Sequence, residues 1–184
     1  GLQSPWLLAV AAVLGTGGPL LGLTLLVRRR LGIAALHVRS AWLWGALSAA
    51  LALGIAWLVE PLVFDVTRST TLFYASAGPI EEGGKLLLPF ALLLFGPRIF
   101  RDPRVGIFTV IVCGMFFGIV EGVEYLLKAD HVSAANGETI AQVGVQDAVA
   151  MLATRTWVEL GHIIWTAGAA AVIWLAAHRL HRAF

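Results

Sequence analysis

Five stretches of this chain are apolar for about the length needed to cross a bilayer, and no other feature limits its fold so sharply. They run roughly over Pro5 to Val27, Ala41 to Val59, Thr70 to Phe95, Val105 to Leu127 and Ala153 to His178. Runs of this length read as transmembrane helices. Composition agrees: 59% of the 184 residues are hydrophobic and 13% are charged. A soluble domain carries about a quarter charged residues, so this surface is expected to face lipid. The predicted fold is all-α, a polytopic transmembrane bundle of about five spans, forming a single integral membrane domain over residues 1–184. Gly15, Gly17, Gly18 and Pro19 predict a kink or break in the first run. That run has no basic residue before it and is long for a signal-peptide core, so it reads as a span.

Charge placement orients the bundle. Arg28, Arg29, Arg30 and Arg39 lie between runs one and two, Arg98, Arg101 and Arg104 between runs three and four, and Arg179 and Arg182 after run five. The intervening connections carry Glu60, Asp65, Asp130, Glu138 and Asp147 against only Arg68 and Lys128. Basic residues favour the cytoplasmic side, which predicts the N-terminus outside and the C-terminus in the cytoplasm. This placement also argues against nucleic acid as the reason for the net charge of +2. The segment from Lys128 to Asp147 reads as an outer connection, with a turn at Asn136-Gly137 and His131, Glu138 and Asp147 as loop residues; it suits a lid or a surface helix. Cys113, the single cysteine, reads as a small buried hydrophobe.

Ionisable groups inside the spans cost about 2.5–3.5 kcal/mol each on insertion scales and usually face a bundle interior or a water-filled cavity. Run three holds Glu81, Glu82 and Lys85, run four Glu121 and Glu124, and run five Arg155, Glu159 and His162. At about 1.5 Å per residue, Glu81, Glu82, Glu121 and His162 all fall in the outer half of the membrane. Three helices thus bring carboxylates and an imidazole to similar depth. Arg155, Glu159, His162 and Thr166 step by four, three and four, one polar stripe on a helix. Five carboxylates meet two bases, an excess that cannot persist as unpaired ions in low dielectric. Either some glutamates are protonated or a cation sits among them, and carboxylates with a neutral histidine suit zinc.

More ordinary roles compete with these. Glu81–Lys85 and Arg155–Glu159 have the spacing of structural ion pairs. Glu124 lies near the outer interface, where a carboxylate is simply solvated. A membrane histidine also serves as a helix–helix hydrogen bonder. Trp157, Trp165 and Trp174 suit packing or interfacial anchoring. At the level of function, the buried carboxylates fit a hydrolase, but equally a proton- or cation-coupled transporter or channel. They also fit a non-catalytic binding subunit. A carboxylate-bridged metal oxidase is weak, because Glu159-x-x-His162 has no second Glu-x-x-His partner.

Three motifs carry a family resemblance. Gly78-Pro79-Ile80-Glu81-Glu82-Gly83-Gly84-Lys85 resembles the Glu-Glu-x-x-Lys motif of the PrsW family of intramembrane proteases. Phe117-Gly118-Ile119-Val120-Glu121, followed by Tyr125, is similar to its second motif, and Arg155 with His162-Ile163-Ile164-Trp165-Thr166 to its third. The order is that of the family, over about residues 78–168. The second motif departs from the family in carrying Gly122 where Asn is usual. The resemblance implies a metal-dependent, zinc-using endopeptidase in a bacterial or archaeal plasma membrane. It would cut a membrane-anchored protein near the outer face and so start regulated intramembrane proteolysis of an anti-sigma type of substrate. It implies Glu81 or Glu82, with Glu81 first, as general base. Glu121 and His162 would hold the metal or position the water. Lys85 and Arg155 would orient carboxylates or stabilise the oxyanion, and Thr166 would complete the polar stripe. The chain is short for that family, so some of its peripheral helices are expected to be missing.

Overall fold

A computed structural model describes residues 5–135 and 145–183, and all of the regular structure among them is helical. Five helices follow in order: α1 (Pro5–Leu31), α2 (Ala35–Thr67), α3 (Thr70–Phe95), α4 (Pro103–Ala135) and α5 (Val145–Ala183), with one 3₁₀ turn, Arg98–Arg101, leading into α4. Among the described residues, three segments are long and apolar enough to cross a membrane: Ala35–Thr67, Pro103–Tyr125 and Leu152–Leu180. α3 is 26 residues long, enough for about 39 Å, and carries the three ionisable groups of its run.

The helix ends follow local chemistry. Arg68 closes α2 in the left-handed conformation, its N–H bonded to the Phe64 carbonyl, and the Ser69 hydroxyl then caps α3 by accepting the Leu72 N–H at 3.3 Å. Asp102 caps α4: its Oδ1 accepts the Arg104 N–H at 2.9 Å, with Pro103 in the first helical position, where a missing N–H costs nothing.

Several boundaries differ from the sequence expectation. α1 is one helix through Pro19, and the glycines before it serve close packing instead of a break. Gly15 faces Leu152 of α5 and Gly17 faces Ile119 of α4. Glu60 and Asp65 lie in the last turns of α2, which continues past Pro61, instead of in a loop. His131 and Asp147 likewise belong to helices, because α4 runs on to Ala135 and α5 starts at Val145. Asn136, Gly137 and Glu138 lie outside the described residues.

α4 is the axis of the bundle. It is largely buried, whereas α2 and α5 expose most of their surface. Val38, Ala41, Leu92, Phe100, Val105, Phe108 and Val112 tie α2, α3 and the 3₁₀ turn to the first half of α4. Leu20, Ile111, Met115 and Ile163 tie α1 and α5 to its other flank. Near the start of α4, Trp174 of α5 is buried against Gly106, and its Nε1 donates to the Phe100 carbonyl at 2.7 Å. Trp157 and Trp165 instead are 77% and 78% exposed, so α5 turns one apolar face outward and its polar stripe inward. Cys113 is fully buried, as its apolar setting predicts.

Candidate functional site

The convergence expected from depth is present. One donor atom each from Glu81 (α3), Glu121 (α4) and His162 (α5) lie within 4.8 Å of one another. Each residue comes from a different helix, so the cluster exists only in the folded bundle.

Glu82 stands next to this cluster with its oxygens occupied. It accepts from Lys85 Nζ at 2.8 Å, faces His162 Nδ1 at 2.7 Å and receives the Thr166 hydroxyl. Lys85 Nζ also lies 3.2 Å from His162 Nδ1. The ring nitrogen cannot both donate to the carboxylate and accept from the ammonium. The shorter contact and the opposite charges favour a protonated Nδ1 that donates to Glu82. That tautomer leaves Nε2 with a free lone pair. A carboxylate that accepts from one ring nitrogen in this way fixes the tautomer and orientation of the imidazole.

Glu81 differs from its neighbour. Its Oε2 is buried without a hydrogen bond and lies 3.6 Å from Lys85 Nζ and 3.8 Å from His162 Nδ1. The helical spacing suggests Glu81 as the closer partner of Lys85, yet the i,i+3 pair with Glu82 is shorter, and the ammonium also lies 3.2 Å from His162 Nδ1. Lys85 is fully buried, and its charge sits 3.8 Å from the centre of the Phe117 ring. Glu60 of α2 is within electrostatic reach of Glu81, which its assignment to a loop concealed.

On the other side, Arg155 Nη2 lies 3.2 Å from Glu121 Oε1 and also bonds Glu159 Oε1, while its guanidinium stacks 3.9 Å over the Tyr125 ring. The second oxygen of Glu121 is buried without a hydrogen-bond partner. Thus each of the two cluster carboxylates keeps a buried oxygen that accepts no hydrogen bond among the described residues, although that of Glu81 has the Lys85 ammonium 3.6 Å away. Such atoms cost free energy unless something polar or cationic meets them. Two carboxylate oxygens and an imidazole nitrogen form a donor set suited to zinc, so the residues present fit a divalent cation.

Sequence reasoning gathered Glu81, Glu82, Lys85, Glu121, Arg155, His162 and Thr166, and the structure brings all seven into one connected polar centre. Glu124 accepts from Trp57 Nε1 of α2 at 2.9 Å. Tyr125 joins the polar centre from α4: its position four residues after Glu121, on the same helix face, is the sequence signal for its place by Arg155. Gly122 packs against Thr16 of α1: a Cβ there would meet the threonine side chain at 3.4 Å.

The model of the family described as PrsW family intramembrane metalloprotease matches residues 34–184. Neither the curated proteins nor the solved structures give a match.

Proposed function

The chain belongs to the PrsW family of intramembrane metalloproteases, and from that premise we propose that it hydrolyses a peptide bond of a membrane-anchored protein at the Glu81–Glu121–His162 centre. The observation that carries this reading is the convergence of those three donors from three helices, with unsatisfied carboxylate oxygens. Family membership makes the chain an integral membrane protein, and it disfavours the transporter reading of the same carboxylates.

Glu121 and His162 would hold the metal, taken to be zinc. Bound there, zinc supplies Lewis acidity, acidifying a water and polarising a carbonyl. The chain's own residues do the rest. Glu81, with a free oxygen, takes the proton from the attacking water as its oxygen adds to the peptide carbonyl carbon. It then delivers that proton to the departing amine nitrogen as the C–N bond breaks. Glu82 is too fully bonded for this role and instead fixes His162 through Nδ1. Thr166 and Lys85 hold Glu82 in place, and Arg155 holds Glu121 by one oxygen. Lys85 also supplies positive charge beside the oxyanion that forms.

The arginine-rich connections support five spans with the N-terminus outside, in the plasma membrane of a bacterium or archaeon. Residues 1–184 act as one domain in this reading, and the cut falls near the extracytoplasmic face. An anti-sigma type of substrate, with the cut starting regulated intramembrane proteolysis, is the proposed context. The test is to purify the protein, measure bound metal and assay a library of membrane-anchored peptides with wild type, Glu81→Ala and His162→Ala. Chelator-sensitive cleavage absent from both variants is expected. No cleavage by any form, together with ion flux in liposomes, overturns the proposal.

A further inference from the structure

Glu159 has no part in the mechanism above, yet it is a completely buried carboxylate one turn from His162. Its Oε1 bonds Arg155. Its Oε2 has no hydrogen-bond partner and rests on Gly118 of α4. A Cβ at Gly118 would lie 2.8 Å from that oxygen, 3.0 Å from Glu159 Cβ and 3.2 Å from Cγ. Any side chain at 118 therefore displaces Glu159.

The surroundings show what the seat accomplishes. Gly118, Glu121 and Tyr125 fall at i, i+3 and i+7, on one face of α4. Against them α5 sets Arg155, with the Tyr125 ring on one side of the guanidinium, Glu121 Oε1 at 3.2 Å and Glu159 in contact with the same Nη2. One guanidinium nitrogen is shared between two carboxylates. A guanidinium facing a single carboxylate tends to take both of its oxygens in a fork. Here Glu159 competes for it, and Glu121 yields only Oε1.

We propose that Glu159, seated on Gly118, is a positioning residue that holds Arg155 back from Glu121 and so keeps Glu121 Oε2 open toward the cation. The proposal rests on the metal reading of the Glu81–Glu121–His162 centre. It treats Gly118 as part of the same device: the glycine is the space that lets the competing carboxylate exist.

The test is Zn²⁺ affinity, measured by competition with a chromophoric chelator, for wild type, Glu159→Gln, Gly118→Ala, Arg155→Gln and the Glu159→Gln/Arg155→Gln double variant. Helical content and monodispersity are checked for each. Removing an outer support of a metal ligand costs about 10–100-fold in affinity, and that loss is expected for Glu159→Gln and for Gly118→Ala. Because Glu159 acts through Arg155, Glu159→Gln causes no further loss in the Arg155→Gln background. A residue that only stabilises the fold would lower the melting temperature in both backgrounds alike. Wild-type affinity in a folded Glu159→Gln overturns the proposal, as does a tenfold further loss in the double variant. If Glu159→Gln alone does not fold, the pair of Arg155→Gln proteins decides by the same criterion. A wild type that binds no Zn²⁺ overturns the metal reading itself, and the proposal with it. A wild type that binds while Glu159→Gln matches it overturns this proposal alone.

Discussion

Gly106→Ala puts a methyl group where Trp174 already sits. The new carbon would lie 1.8 Å from the indole Nε1 and 2.1 Å from Cε2. Non-bonded carbon contacts settle at about 3.5–4.0 Å, so the ring has to move by roughly 1.5–2 Å. It cannot do so and keep its 2.7 Å bond to the Phe100 carbonyl. Overpacking costs about 1–3 kcal/mol, a buried pair left unbonded about 1–3 more, and the better helix propensity of alanine returns about 1, for a net loss near 3 kcal/mol. At about 2–4 °C per kcal/mol for a chain of this size, the melting temperature should drop by roughly 6–12 °C. Thermal unfolding in detergent, followed by circular dichroism, reads this directly. Gly168→Ala is the control, since a Cβ there meets nothing within 4 Å and should cost less than about 0.5 kcal/mol. Trp174→Leu in the Gly106→Ala background should add less than it does alone, because the clash is already relieved. The latch lies fifteen residues from Glu121, about 22 Å along α4, so Zn²⁺ affinity should be unchanged. A Gly106→Ala protein that melts with wild type, or strictly additive losses with Trp174→Leu, would refute the reasoning.

Three further outcomes follow from the same contacts. Glu81→Gln should abolish cleavage in a protein that still folds, because it removes a base but leaves the Glu82–Lys85–His162 set intact; normal turnover would exclude Glu81 from proton transfer. Lys85→Met strips a fully buried counter-charge from Glu82 and should cost about 3–5 kcal/mol in a denaturation experiment, a loss below 1 kcal/mol being inconsistent with a buried pair. Asp102→Ala removes the α4 cap and should cost about 1 kcal/mol near neutral pH. The Arg104 side chain beside Asp102 holds its carboxyl below the ordinary carboxylate range. The folded state therefore takes up the proton less readily than the unfolded state, and the stabilisation is complete above about pH 4 and fades as the pH falls further. The gap between wild type and Asp102→Ala should shrink on acidification; a gap that widens would contradict this account.

Much of this was legible in the residue order. The apolar run at roughly Thr70 to Phe95 coincides with α3. The polar stripe of α5 was visible in the spacing of Arg155, Glu159, His162 and Thr166, since an inward face needs only helical periodicity. What spacing could not reveal was which of two adjacent glutamates would be bonded. That depends on how α5 rotates against α3, a long-range fact that places His162 and Thr166 on Glu82. The ends of α2 and α4 lie beyond their apolar runs, because a helix leaving the apolar layer need not stop there and polarity alone does not mark a loop. The role of Gly118 was hidden for a similar reason: a glycine records nothing of the neighbour it admits.

Two of the charged helices carry a counter-charge within about one turn: Lys85 with Glu81 and Glu82 on α3, and Arg155 with Glu159 on α5. This matters while the chain is being made. Eighty-one residues separate Glu81 from His162, roughly 4–16 s of synthesis at about 5–20 residues per second. During that interval α3 must reside in lipid without its partner from α5, and the internal pairing lowers the cost of entering alone. The Glu81–Glu121–His162 cluster cannot form until the last helix arrives, so under the proposed function a nascent chain passing through the insertion machinery carries no assembled cutting site.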